Sequence, residues 1–166
     1  MYTLDISSHD SVRDLASDIE VLICKNPRLT ELPRLPSRLK KFYCTDTPLH
    51  ELPDLPEGLQ VLHCVNVPIK SLPRLPSTLC VLYLEYTACA ELPPLPPSLQ
   101  DLYCMSTPLA ELPELPEMLH FLDCTNTLMD CLPSLPPLLR ILRCPMRSLY
   151  HMPLLPERLQ KVYGVE

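Results

Sequence analysis

A twenty-residue pattern that returns without insertion or deletion confines this chain more than any other feature. Successive units open at Leu32-Pro33, Leu52-Pro53, Leu72-Pro73, Leu92-Pro93, Leu112-Pro113 and Leu132-Pro133. Each runs Leu-Pro-x-Leu-Pro, then Leu-x-x-(apolar)-x-Cys, then a short turn that usually carries Thr and an apolar residue two places on. A short, fixed period is the mark of a solenoid, in which each unit buries its apolar face only against its neighbours. Such a chain offers a long surface to a partner and seldom carries chemistry of its own.

Within one unit the two halves call for different backbones. In Leu39 to Cys44 the residues alternate, which suits a short strand with Phe42 and Cys44 facing inward. One period later Leu62-His63-Cys64 falls beside it in parallel and in register. The Leu-Pro-x-Leu-Pro half cannot be helix or central strand, because proline fixes φ and lacks an N–H. An extended, polyproline-like return segment is left, with leucines such as Leu52 and Leu55 turned inward. Strands about 4.8 Å apart over some eight turns make a rod on the order of 40 Å long.

Composition removes several function classes. The 22 prolines against 2 glycines would suggest disorder if they were scattered. They are phased, and 46% of residues are hydrophobic, so a core is available. A net charge of −6 with no basic block argues against nucleic acid, since phosphate binding needs clustered Lys and Arg. No apolar run reaches the roughly 18 residues of a membrane span. The opening Met1-Tyr2-Thr3-Leu4-Asp5 lacks the basic and apolar regions of a secretory signal. Together with nine cysteines, this leads us to expect an intracellular, reducing compartment such as cytoplasm, whether of a host cell or within a virion.

Leu39-x-x-Phe42-x-Cys44-x-x-Thr47-x-Leu49 resembles the leucine-rich-repeat core, and the attached Leu-Pro-x-Leu-Pro resembles its short, twenty-residue LPX subtype from effectors of enteric bacteria. Cys on the strand and Thr in the turn also resemble repeats encoded by large DNA viruses. The resemblance implies a fold that is α/β by convention but mostly β: an in-register parallel sheet on the concave side, extended convex segments and little helix. It covers about Ser11 to Tyr163. Family members place Asn in the turn, whereas here the position reads Pro27, Thr47, Val67, Thr87, Thr107, Thr127 and Arg147. A hydrogen-bond ladder interrupted at Val67 and Arg147 is therefore expected. Bacterial effectors of this type often add a helical ubiquitin-ligase domain, and the sequence stops at Glu166 without one. Cys44-Thr45-Asp46 matches the Cys-x-Asp of those ligases' catalytic loop, but that loop belongs to the helical domain, so the match reads as coincidence.

Cys24, Cys44, Cys64, Cys104, Cys124 and Cys144 share one repeat position, with Leu84 in the gap. Thiols in a line do not converge on a metal as zinc requires. Their Cβ atoms, about 4.8 Å apart, exceed the roughly 3.8 Å that a disulfide prefers. They read as small core residues, and no metal or cofactor is expected. Cys89 is expected to be buried, and Cys80 and Cys131 to be reachable. No residue set points to catalysis: His63 has no acid or nucleophile placed to work with it.

The outward rows of the strands carry the candidate binding residues. Tyr43, His63, Tyr83 and Tyr103 share one row, Val61, Val81 and Phe121 the row before, and Met105 the row after. Aromatic and β-branched residues suit strands, but an apolar, aromatic patch of this extent also marks interfaces. The expected function is therefore a non-catalytic scaffold that binds a protein through its concave face. A structural component of a larger assembly such as a virus particle is one alternative. The substrate-recognition part of a ubiquitin-ligase effector without its catalytic domain is another.

The expected organisation is a single domain over 1–166. Residues 1–31 form a degenerate first repeat and N-terminal cap, with a short helical turn; 32–151 form six regular repeats; 152–166 form a truncated last repeat. Leu4 and Gly164 are expected to continue the cysteine position at the two ends. Gln160, Lys161 and Glu166 make a meagre cap, so self-association through the C-terminal end is expected. Glu31, Glu51, Glu91 and Glu111 form an acidic stripe read as a solvated rim.

Overall fold

The phased prolines set the shape of every coil. In each unit the carbonyl of the proline in the second Leu-Pro pair accepts a hydrogen bond from the N–H three residues on, as in Leu39 to Pro36 (3.1 Å), Leu59 to Pro56 (3.0 Å) and Leu99 to Pro96 (3.1 Å). That turn swings the chain from the extended return segment into a strand. A computed structural model describes residues 3–6 and 15–165, and all the positions below lie in those ranges.

Nine strands result among the described residues: β1 (Thr3–Asp5), β2 (Val21–Cys24), β3 (Lys41–Thr45), β4 (Val61–Val65), β5 (Val81–Glu85), β6 (Asp101–Tyr103), β7 (Phe121–Asp123), β8 (Ile141–Pro145) and β9 (Lys161–Val165). They form one parallel sheet in chain order. The ladder starts at a shared acceptor: the Lys40 carbonyl takes the N–H groups of both Gln60 (2.8 Å) and Val61 (3.1 Å), and Gln60 does the same for Cys80 and Val81. From β2 to β9 every register is twenty residues, so the repeat in sequence is the repeat in space.

Alternation along the strands sends two columns inward. Leu22, Phe42, Leu62, Leu82, Leu102, Leu122 and Leu142 make one column; the cysteine position, with Leu84, makes the other; all are fully buried. Leu39, Leu59, Leu79, Leu99, Leu119 and Leu139 close the core from the turn side. Each buried leucine stabilises by roughly 1.5–3 kcal/mol, and the count of such residues explains how a chain with little helix holds together. The nine cysteines are unpaired: Cys89 lies buried, Cys80 half-buried and Cys131 exposed, as expected.

The strand exits through a left-handed residue. Asp46, Asn66, Tyr86, Ser106 and Asn126 have φ between 50° and 55°. Asn and Asp tolerate that region, and glycine is not used at any of these turns. Tyr86 is the misfit, and its side chain stays 60% exposed, so nothing in the core compensates for its backbone.

Three expectations change. The first turn is shorter than the rest: Leu4 pairs with Leu22 rather than Cys24, an eighteen-residue register. Ile6 takes the cysteine column instead and is 2% exposed, because its aliphatic side chain fills the buried slot that the shorter turn presents to it. Arg147 does not interrupt the turn ladder. Its guanidinium donates to the carbonyls of Thr127 and Met129 (3.0 Å for the latter) and meets Asp130 at 3.2 Å. A cation with several donors replaces the missing hydroxyl. Third, the turn after β8 is a 3₁₀ helix, Met146–His151, where the other units are irregular. Gly164 makes room for it: a Cβ there would stand 2.4 Å from Leu149 Cδ1 and 3.0 Å from Met146 Sδ. Gly164 does continue the cysteine position, opposite Cys144. The expected helical turn of the N-terminal cap falls in residues 1–20, of which 1, 2 and 7–14 lie outside the described residues.

The threonines of the turn differ in a way that can be measured. Thr107 and Thr127 donate to the carbonyls of Cys104 and Cys124, each at 2.7 Å, and Thr47 meets the Cys44 thiol at 3.1 Å. Thr87, three residues after Leu84, is buried with no partner for its hydroxyl among the described residues. Val67 fills the same position with an isosteric, apolar side chain. Thr87→Val is therefore expected to raise stability by about 1 kcal/mol and Thr107→Val to lower it by about 1 kcal/mol, read by urea unfolding. Equal effects of the same sign would contradict the assignment.

Candidate functional site

Strand register dictates what stands on the outward face. Tyr43 sits opposite His63, His63 opposite Tyr83, and Tyr83 opposite Tyr103. Neighbouring strands lie about 4.8 Å apart, so in-register rings must stack near that spacing. They do: His63 and Tyr83 have centroids 4.5 Å apart with planes at 19°, and Tyr83 and Tyr103 are 4.7 Å apart at 29°. Tyr43 meets His63 at 5.6 Å and a steeper 50°.

At β7 the row changes track. Asp123, opposite Tyr103, is 2% exposed, held by the Thr125 N–H (3.2 Å), the Thr125 hydroxyl (2.8 Å) and the Arg143 guanidinium (3.5 Å). Phe121, from the adjacent row, swings across to stack on Tyr103 at 4.6 Å. Arg143 then lies over Phe121 (5.9 Å) and over Tyr163 (5.3 Å). One column of π-systems thus runs from β3 to β9, closed by a guanidinium with attraction to both flanking rings.

The candidate residues fall together as placed by the repeat. Tyr43, His63, Val61, Tyr83, Val81, Tyr103, Met105 and Phe121 are all half-buried on one sheet face. Val61 pairs with Val81, and Met105 sits just beyond β6, beside the Glu85 row. Arg143, Tyr163 and Asp123 belong to the same surface and were absent from the candidate set. Their signal was the shared column in the repeat, which places Arg143 between Asp123 and Tyr163.

The titration of the face follows from partial burial. Burial lowers the pKa of His63, against the field of Glu85. Burial raises Tyr83, with Glu85 adding to it through its charge and through a 3.2 Å hydrogen bond from the phenol. Burial also raises Tyr103, reinforced by Asp101 and Asp123 and opposed by Arg143. Asp101 is raised by burial, with His120 opposing. On the inner side, burial pushes the Cys64, Cys104, Cys124 and Cys144 thiols up, which keeps them protonated. Cys44 is drawn down by a hydrogen bond from Cys24, but it is wholly buried and no reactant reaches it. Among the described residues no three His, Cys, Asp or Glu side chains are grouped to hold a metal ion. No helix among them is long and apolar enough to cross a membrane.

A parallel, twenty-residue coil with one sheet and extended returns defines a leucine-rich-repeat solenoid of the short type. No family model matches the sequence, and no curated protein matches it. Solved structures do. YopM from Yersinia enterocolitica WA-314 superposes with a TM-score of 0.79 at 32% identity, over 89% of this chain and 35% of its own. YopM from Yersinia pestis, a leucine-rich effector protein, gives 0.80 at 27% identity, over 99% of this chain and 54% of its own. A Shigella effector leucine-rich-repeat domain gives 0.70 at 28%, over 87% and 68%. The chain therefore spans about a third and about half of the two YopM chains.

His63 offers a test of the geometry. Its pKa is lowered in the folded state, so the unfolded chain binds the proton more readily. The associated stability is present above the unfolded value of 6.5 and is lost as pH falls from there towards the folded pKa. His63→Phe, which keeps a ring in the stack, is expected to lose less stability than the parent between about pH 7.5 and about pH 5. Identical losses in urea unfolding would show that His63 is not desolvated.

Proposed function

We propose that this chain is a non-catalytic scaffold that binds a protein partner through the outward, concave face of its sheet. The observation that carries the reading is the continuous half-exposed column from Tyr43 to Phe121, bordered by Val61, Val81 and Met105. Stacking by itself follows from register and is worth roughly 0.5–1.5 kcal/mol per pair in stability. Partial exposure does not follow from register, and tyrosine and methionine are favoured at interface centres. The likeness to bacterial effector repeats fits a scaffold role. A reducing setting such as a host cell's cytoplasm suits a core with a line of free thiols.

The test is affinity capture with cross-linking mass spectrometry, comparing the parent with a Tyr43, His63, Tyr83 and Tyr103 to Ala variant shown by circular dichroism to keep its sheet. Cross-links on β3–β6 that vanish in the variant are expected. Unchanged partners and cross-links confined to the return segments would remove the proposal.

A second contact, self-association, is favoured by the C-terminal coil. Leu154 is 95% and Leu155 56% exposed, and Val162, Tyr163 and Val165 are each about 40% exposed on a strand that pairs only with β8 among the described residues. Val162 occupies a column that is fully buried in β2 to β8. A second copy laid against β9 covers it. Sedimentation across a hundredfold dilution is expected to show a dimer that dissociates and that Val162→Lys abolishes; a monomer at every concentration would rule it out.

A further inference from the structure

The outward face is unevenly charged, and the pattern specifies what its partner must bring. On β4, β5 and β6, from 60 to 66, 80 to 86 and 100 to 106, there is no lysine or arginine and there are two acids, Glu85 and Asp101. Cations stand on strands to either side: Lys25 just after β2, paired with Asp46 at 3.2 Å, Lys41 on β3, Arg143 on β8 and Lys161 on β9, and Arg143 is engaged by Asp123 and two rings. His63, the remaining basic group at the centre, is held towards its neutral form by burial.

Neither acid has an ion pair among the described residues. Among the described residues the Glu85 carboxylate accepts one hydrogen bond, from the Tyr83 hydroxyl at 3.2 Å. Asp101 has no hydrogen bond or ion pair among the described residues; it is half-buried, and burial raises its pKa with His120 opposing. A half-buried carboxylate without a partner is costly to keep ionised, and a cation brought to it recovers that cost.

The two acids bracket the aromatic column. Asp101 stands opposite Val81 and Glu85 opposite Val65, so they lie four residues apart along adjacent strands, or roughly 13 Å at the rise of a β-strand. Tyr83 and Tyr103 lie between them, with Val81 and Met105 beside. The rings stack on one another, so their edges and hydroxyls, not their faces, meet an incoming chain.

We infer that the partner presents to β4–β6 an extended segment with two cationic side chains about 13 Å apart astride an apolar one, one cation at Glu85 and the other at Asp101. This rests on the reading of the outward face as the partner site. In an extended segment laid along the strands, basic residues four positions apart supply that spacing. The apolar side chain between them sits on the Tyr83 and Tyr103 edges. A helix meets the same spacing only with basic residues about eight positions apart.

The probe is a synthetic peptide, acetyl-Gly-Arg-Gly-Leu-Gly-Arg-Gly-amide, titrated into the ¹⁵N-labelled protein, with a peptide carrying Glu in place of both Arg as its control. Amide shifts confined to β4–β6 are expected, with little response to the control. Glu85→Gln and Asp101→Asn keep shape and alter only charge, and each is expected to weaken the Arg peptide about two- to fivefold, with the losses multiplying in the double variant. Binding of both peptides alike, unchanged affinity in the double variant, shifts outside β4–β6 or no saturable shift at all would each overturn the inference. If the double charge variant still captures the partner that the four-alanine variant loses, the cationic segment is wrong and the outward face stands. If both variants capture alike, the face itself is wrong.

Discussion

Everything in this molecule depends on a backbone accounting problem solved once per coil. Each strand finds its hydrogen bonds in the next coil, and the carbonyl at the Lys40 position accepts two N–H groups where the strand begins. The return segment has no such neighbour ladder. Its prolines remove donors that would otherwise need partners, and its leucines supply the apolar face. A slip of one residue anywhere would turn the leucine and cysteine columns outward and the tyrosines inward. That is why the twenty-residue period runs unbroken from β2 to β9, and why the one shorter turn, between β1 and β2, changes which residue fills the core.

The same register builds the surface. Residues fixed on one face at intervals of a strand's width form columns whether or not a partner exists, so the tyrosine stack is first a consequence of folding. What register does not dictate is chemistry at each rung. The change from Tyr103 to the buried Asp123 breaks the row, and Phe121 crosses over to restore it while Arg143 closes the far end. Glu85 and Asp101 stand on central strands that carry no lysine or arginine, while the cations stand on strands to either side. Sheet stability alone requires neither arrangement, since an aromatic or β-branched residue would serve at Glu85 or Asp101.

Most of this architecture was readable from residue type and spacing, because in a solenoid neighbours in sequence period are neighbours in space. Phe42, Cys44 and Leu39 declare their burial by position, and Tyr43, His63, Tyr83 and Tyr103 declare their shared face. The features that escaped are those where a side chain or a turn acts across the repeat. Arg147 reads as a break because it lacks a short hydroxyl, yet its length lets it reach two carbonyls of the preceding coil. Ile6 rather than Leu4 fills the core because the length of the first turn, not the pattern, sets the register there. Asp123 looks like an outward acid by position and is instead enclosed by Thr125 and Arg143.

Nearest-neighbour construction also separates stability from recognition. In a one-dimensional stack, a change in one coil is felt by the two beside it and little further. The left-handed Tyr86, the unpartnered Thr87 hydroxyl and the unneutralised Glu85 and Asp101 all fall on the fifth and sixth strands or their turns. These are local departures from what the fold prefers, gathered in the middle of the sheet; the neighbouring coils fill the turn with the apolar Val67 on one side and the hydrogen-bonded Thr107 on the other. A solenoid can hold such a middle because its outer coils are independently well packed. The unpaired charge of Glu85 and Asp101 lies on the stretch of surface where a partner is proposed to bind, and Tyr86 and Thr87 sit in the turn beside it.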